Sequence, residues 1–145
     1  MTKPILTIVR GLPGSGKTTY ARKLAAETGA MLIEPDALLV RGGVYWYTPE
    51  RYKESIRMSL LILARASQIE ADMIYADVLP RISEVCDVIK ADYFFSVVST
   101  RGYRITVIDM PLLTVDESIA RNRHNVRRED IERMAREWEP WEGQK

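Results

Sequence analysis

The chain has 145 residues, 46% hydrophobic and 28% charged, with a formal net charge of +1. Such a length carries one domain, residues 1–145, with a core of its own, and the near-neutral balance gives no global electrostatic reason to hold nucleic acid or a membrane surface. Cys86 is the only cysteine and His124 the only histidine, which excludes an internal disulfide and a Cys/His zinc site.

In chain order, residues 4–10 read as a short apolar, β-branched strand running into Gly11-Leu12-Pro13-Gly14-Ser15-Gly16-Lys17-Thr18. This segment fits G-x-x-x-x-G-K-[ST] at every fixed position, the pattern of a phosphate-binding loop. Its chemistry lies in the main chain: glycines let the backbone wrap a phosphate, so that several N–H groups converge on it at a helix N-terminus. Lys17 is expected to reach the β- and γ-phosphates of ATP, and the Thr18 hydroxyl to ligate Mg²⁺. Thr19 completes the expected ATP-binding set. The alternative is an ordinary glycine-rich turn.

A helix over about 17–28, stopped by Gly29, leads to a second strand, Met31-Leu32-Ile33-Glu34. Residues 41–47 suggest a turn or small hairpin rich in aromatics, and Thr48-Pro49 opens a long helix whose Ile56, Leu60 and Leu63 recur at helical spacing. Strand three is Met73-Ile74-Tyr75-Ala76, residues 81–100 read as helix ending at Gly102, and 103–108 is the fourth strand. Thr114-Val115-Asp116-Glu117 is a capping box opening a helix to about His124, and a last helix covers 128–138. This order predicts an α/β fold, a single P-loop NTPase domain: a parallel sheet of about four to five strands with helices on both faces and an arginine-bearing lid. Right-handed crossovers place a nucleotide at the carboxyl ends of the strands.

Two carboxylates fall at that edge. Asp36 follows strand two, where it can accept the proton of an attacking hydroxyl or cap the residues after it. Glu34 is a weaker candidate for the same role. Asp77 ends strand three, placed to support Mg²⁺ with Thr18 or to form a turn. Asp109 reads as a turn residue. Arg121, Arg123, Arg127 and Arg128 lie between two helices. They suit a lid whose Arg121 and Arg123 neutralise a transferring phosphoryl group, or a solvated connector paired with Glu129 and Glu132. His124 is an acid–base candidate or a helix-dipole complement. Tyr45 and Tyr47 either stack on an acceptor or cover a core edge. Trp138 and Trp141 are expected to pack the last helix.

The constellation resembles the small P-loop kinases that include the kinase domain of phage polynucleotide kinase, the zeta-toxin-like kinases, and a group of phage and bacterial ATP-binding proteins. Its strongest piece is Gly11 to Thr18. Next is Ala120-Arg121-Asn122-Arg123-His124-Asn125-Val126, followed by Ile131-Glu132-Arg133-Met134 and Trp138-Glu139, similar to the family's lid and following helix. Asp36, Asp77 and Gly102-Tyr103 also match the pattern. The resemblance implies ATP- and Mg²⁺-dependent phosphorylation of a hydroxyl, with Asp36 as base and a polynucleotide or nucleotide 5′-hydroxyl as acceptor. Three positions depart from it. Leu39 stands where the family has an acceptor-binding arginine, with Arg41 near enough to substitute. Val78-Leu79 replaces a Thr-Asn pair, and Arg127 replaces the lid proline.

Two other readings stay open. One keeps the chemistry and changes the acceptor to a nucleoside, modified base, sugar or metabolite, which the near-neutral charge favours. The other is an NTP-binding switch with no acceptor. No signal peptide or membrane-length apolar run is visible, so a reducing cytoplasm is the expected compartment.

Overall fold

Val9, Leu6 and Ile8 are almost wholly excluded from solvent because the strand that carries them, β1 (Ile5–Arg10), is flanked on both edges and covered on both faces. The computed structural model describes residues 3–95 and 103–142. After β1 come α1 (Lys17–Thr28), β2 (Met31–Ile33), a 3-10 turn (Pro35–Leu39), the hairpin strands β3 (Val40–Arg41) and β4 (Val44–Tyr45), and α2 (Pro49–Ser67). The chain continues through β5 (Met73–Asp77), α3 (Ile82–Phe95), β6 (Arg104–Asp109), α4 (Val115–Arg121) and α5 (Arg128–Glu137). The main sheet is four-stranded in the order β2-β5-β1-β6, and all its pairs are parallel.

Strand alternation sorts the core. Leu6, Ile8, Ile33, Met73 and Tyr75 pack with Leu63, Ala66, Val85 and Val88 of α2 and α3. Val9, Ile74 and Ala76 pack with Ala21, Leu24 and Ala25 of α1 on the opposite face. The α/β fold with helices on both faces is therefore as expected. Arg10 and Asp77 are register partners at the carboxyl ends of β1 and β5, so the glycine loop and Asp77 emerge side by side.

Several element boundaries differ from the sequence reading. Of the expected Ile56-Leu60-Leu63 stripe of α2, Leu63 is fully buried, Leu60 packs against the core and Ile56 is half-buried, and the buried face is extended by Ser55, Ser59, Ala64, Ala66 and Ser67, small residues that let the helix approach its neighbours closely. Two of the buried hydroxyls satisfy themselves on their own helix, Ser55 Oγ donating to Tyr52 O and Ser67 Oγ to Ala64 O. The fourth helix stops at Arg121 instead of His124. Asn122 ends it: its side chain accepts from the His124 N–H at 3.1 Å and donates to Val126 O at 2.8 Å, closing a turn in place of another helical one. Asp77 is the last residue of its strand, one later than expected. The expected helix over 81–100 runs from Ile82 to Phe95, and its predicted end at Gly102 lies outside the described residues. Residues 40–45 do form a hairpin, turned by Gly42 and Gly43 at φ 56° and 79°, a left-handed pair that suits a two-residue connection.

Candidate active site

The glycine loop joins β1 to α1. Gly14 and Gly16 take φ of 80° and 88°, and the Ser15 N–H donates to Leu12 O at 3.0 Å. No side chain caps α1 and no acid sits in its first turn. Its unpaired N–H groups and positive dipole end are thus free to meet an anion. The loop is braced from α4. Ser118 Oγ donates to Pro13 O at 2.6 Å in a buried bond. A Cβ on Gly14 would lie 2.6 Å from the Arg121 Cβ and 3.0 Å from its carbonyl carbon.

These elements enclose a cavity of about 1200 Å³. Its floor is Pro13, Gly14, Gly16, Lys17, Thr18 and Thr19. Asp36 and Asp77 line one side, residues 120–127 with Asp130, Arg133 and Met134 another, and Val44, Tyr45, Tyr47 and Tyr52 a third. Gly11, Leu12 and Ser15 support the loop from behind, Gly11 and Leu12 being buried.

The acids and Lys17 form one electrostatic group. Burial lowers the Lys17 pKa, and Asp77, Asp36 and Glu34 hold it up. Burial pushes the Asp77 carboxyl up to about 7, with the nearby Asp36 charge adding to the rise. The Val78 N–H, Lys17 and the Tyr52 hydroxyl oppose it. Tyr52 Oη donates to Asp77 Oδ2 at 3.1 Å, and the Val78 N–H to Oδ1 at 2.8 Å. Asp36 does not cap a helix. It lies inside the 3-10 turn, and its Oδ1 accepts from Tyr45 Oη at 2.8 Å. Both carboxylates, read separately along the chain, thus converge on Lys17.

The arginine segment divides in two. Arg121 and Arg123 line the cavity with no ion pair among the described residues. Arg127 pairs with Asp130, and Arg128 with Asp116 and Glu132, as in a solvated connector. His124 stacks on Tyr45 with centroids 4.3 Å apart.

Other candidates fall elsewhere. Arg41, expected at the acceptor, is exposed on β3 and absent from the cavity lining. Glu34 pairs with Arg22 at 3.5 Å. Asp109 is more than a turn residue: Oδ1 accepts from Arg10 Nη1 at 3.2 Å and Oδ2 from the Trp141 N–H at 2.9 Å. Trp138 lies over the Arg10 guanidinium at 4.2 Å, and Trp141 packs against the α2–α3 core. Tyr52 escaped the sequence reading, because it carries no motif signal and reaches the site only through packing; Asn122 and Arg133 lie in the lid and following-helix segments that carry the resemblance, but they line the cavity without having been assigned a role from sequence.

A family model described as an AAA domain matches residues 6–140. The chain belongs to that family of P-loop proteins. No curated protein matches it by sequence. Among solved structures it is similar to a chain of the Pnkp1/Rnl/Hen1 RNA repair complex, at 19% identity and a TM-score of 0.71, covering 94% of this chain and 44% of that one. It thus spans less than half of that chain's length. A gluconokinase from Sinorhizobium meliloti 1021 aligns over 99% of this chain and 79% of its own at 15% identity and TM-score 0.59. A shikimate kinase from Acinetobacter baumannii aligns over 93% and 73%, at 19% and 0.53. These likenesses establish the P-loop kinase-like fold. Among the described residues no helix is long and apolar enough to cross a membrane.

The site fits a nucleotide and a divalent cation on its own features. An uncapped helix end, left-handed glycines and a half-buried lysine suit a polyphosphate. Mg²⁺ needs no cage of protein ligands and is commonly held by one or two protein oxygens together with a substrate's phosphates. Thr18 and Asp77 line the cavity as candidates for those oxygens.

Proposed function

We propose that the protein is an ATP-dependent, Mg²⁺-requiring phosphotransferase acting on a hydroxyl, most naturally the 5′-hydroxyl of a polynucleotide or nucleotide. The observation that carries this reading is the meeting of Asp36 with the glycine loop and two unpaired arginines in one cavity. A nucleotide switch needs neither a carboxylate opposite the γ-phosphate nor free arginines above it.

Asp36 accepts the acceptor's proton as the acceptor oxygen attacks the γ-phosphorus. The bond from that phosphorus to the β,γ-bridging oxygen breaks, and ADP leaves with the electron pair. Lys17 and the loop N–H groups hold the phosphates, and Arg121 and Arg123 offset charge on the transferring group. Thr18 and Asp77 would hold Mg²⁺, which supplies charge neutralisation across the β- and γ-phosphates. Tyr47 and Tyr52 offer ring faces to a planar acceptor. One observation favours the second reading, a small-molecule acceptor: Arg41 lies outside the cavity lining, leaving the hairpin wall without a cation for an acceptor's phosphates.

The test offers Mg²⁺ and γ-labelled ATP with 5′-hydroxyl DNA and RNA oligonucleotides, nucleosides, gluconate and shikimate, or no acceptor. Label on an oligonucleotide 5′ end, lost in Lys17→Ala, establishes the first reading. Label on a small molecule alone establishes the second. Label released only as free phosphate refutes the first reading, leaves ATP binding in place, and points to a small-molecule acceptor outside this panel or to a nucleotide switch.

A further inference from the structure

Tyr45 is placed by sequence among the acceptor contacts, yet its hydroxyl and its ring are both engaged within the protein. The hydroxyl donates to Asp36 Oδ1 at 2.8 Å. The ring stacks on His124 at a centroid separation of 4.3 Å and an interplanar angle of 27°. We infer that Tyr45 is a positioning residue that ties the orientation of Asp36 to the seating of the arginine segment, with His124 as the part of that segment it grips. The role given to Asp36 rests on the proposed phosphotransfer; the Asp36–Tyr45–His124 connection does not.

Each link has a physical cause. The Tyr45 backbone is held in the hairpin by pairing with Val40, and its ring also stacks on Tyr47 at a centroid separation of 6.1 Å, which limits its freedom to follow either partner. Its hydroxyl occupies one oxygen of Asp36 and stops the carboxylate from rotating, leaving Oδ2 to face an incoming hydroxyl. On the other side, His124 is fixed by its N–H bond to Asn122 Oδ1 at 3.1 Å. Asn122 directly follows Arg121, which lies against Gly14 of the phosphate loop. One continuous set of contacts therefore runs from the nucleotide side, through Arg121, Asn122 and His124, to Tyr45 and the base. The contact needs only the flat face of His124, so the imidazole's acid–base chemistry has no part in it. A lid that has not seated loses the stack that steadies Tyr45, and with it the fixed orientation of Asp36.

Because His124 is the only histidine, the proton NMR spectrum of the unlabelled full chain in D2O carries one histidine set of imidazole C–H signals, its C2–H downfield of the other rings. At one fixed pH, the Tyr45 ring current displaces them upfield. Tyr45→Leu returns the signals to the position of a solvated histidine, and Tyr45→Phe, which keeps the ring but loses the hydroxyl, shifts them part of the way. Asp36→Ala, which removes the hydroxyl's acceptor, shifts them the same way, whereas Asp36→Asn, which retains an acceptor oxygen, does not. Signals indifferent to both Tyr45→Leu and Asp36→Ala overturn the inference, and the Asp36→Ala arm decides alone if Tyr45→Leu fails to fold. With Mg²⁺, ATP and a 5′-hydroxyl oligonucleotide, Tyr45→Phe lowers kcat about tenfold at unchanged KM for ATP. His124→Ala lowers kcat too, and His124→Phe restores it. An unchanged kcat in Tyr45→Phe also overturns the coupling. A wild-type protein that transfers nothing to any acceptor, while its His124 signals respond as described, removes the role of Asp36 as base and upholds the contact between lid and carboxylate.

Discussion

Gly14 lies directly beneath Arg121: a methyl group on the glycine would sit 2.6 Å from the arginine Cβ. The neighbouring atoms there include the Arg121 carbonyl carbon and oxygen, so relief requires movement of the end of α4 and not merely a side-chain rotation. Gly14 also holds φ at 80°, a conformation that costs an L-residue roughly 1–2 kcal/mol. Gly14→Ala should therefore weaken Mg·ATP binding at least tenfold and lower the melting temperature. Calorimetric titration with a non-hydrolysable ATP analogue checks this; unaltered affinity means that the loop and α4 are not coupled.

Asp36→Asn should bind the same analogue as well as the wild type, since the side chain is held by Tyr45 and not by the phosphate loop. Transfer should fall by roughly 10²–10⁴-fold, the range for a lost general base. Lys17→Ala should fail one step earlier, in nucleotide binding. Undiminished transfer in Asp36→Asn would remove the base assignment.

Asp77 makes a stability prediction with a definite sign. Its folded pKa is raised from an ordinary 3.8 to about 7. Between those values the folded state binds more protons than the unfolded one, so stability falls as pH rises through the window. In nucleotide-free, metal-free protein, Asp77→Asn removes the buried charge and keeps an oxygen for the Val78 N–H. It should be more stable than wild type at pH 8, by on the order of 2 kcal/mol, and gain little at pH 4. Urea unfolding at the two pH values reads this directly, and an equal increment at both refutes it.

The four lid arginines should separate by function. Alanine at Arg121 or Arg123 lowers kcat roughly a hundredfold, with little change in melting temperature. Alanine at Arg128, whose pairs with Asp116 and Glu132 are exposed, leaves kcat nearly intact. A loss in Arg128→Ala equal to that at Arg121 or Arg123 would show that the segment acts as a diffuse positive patch.

Arg10 is fully buried and serves the fold. Its guanidinium donates to Leu79 O at 2.7 Å, Pro80 O at 3.1 Å and Asp109 Oδ1 at 3.2 Å, under the Trp138 ring. Arg10→Met leaves two carbonyls and a carboxylate without that donor and should cost about 3 kcal/mol. Chemical denaturation measures it, and a loss below 1 kcal/mol (roughly, on the same scale) shows that solvent replaces the guanidinium.

The amino-acid sequence by itself determined the phosphate loop, the alternation of strands and helices, and the placement of Asp36 and Asp77 at strand ends. All three are local: the loop's chemistry lies in contiguous main chain, and strand and helix periods are written in neighbouring residues. Packing decided what each side chain meets. It brought Tyr52 to Asp77 across 25 positions, Ser118 to Pro13 across 105, and Arg10 to Asp109 across 99. It also added serines and alanines to the buried face of α2 beside the expected Leu60 and Leu63, and left Arg41 out of the cavity lining that its chain position suggested. Such partnerships depend on how elements cross in space, and a buried donor accepts whichever acceptor the crossing supplies. No spacing along the chain records that choice.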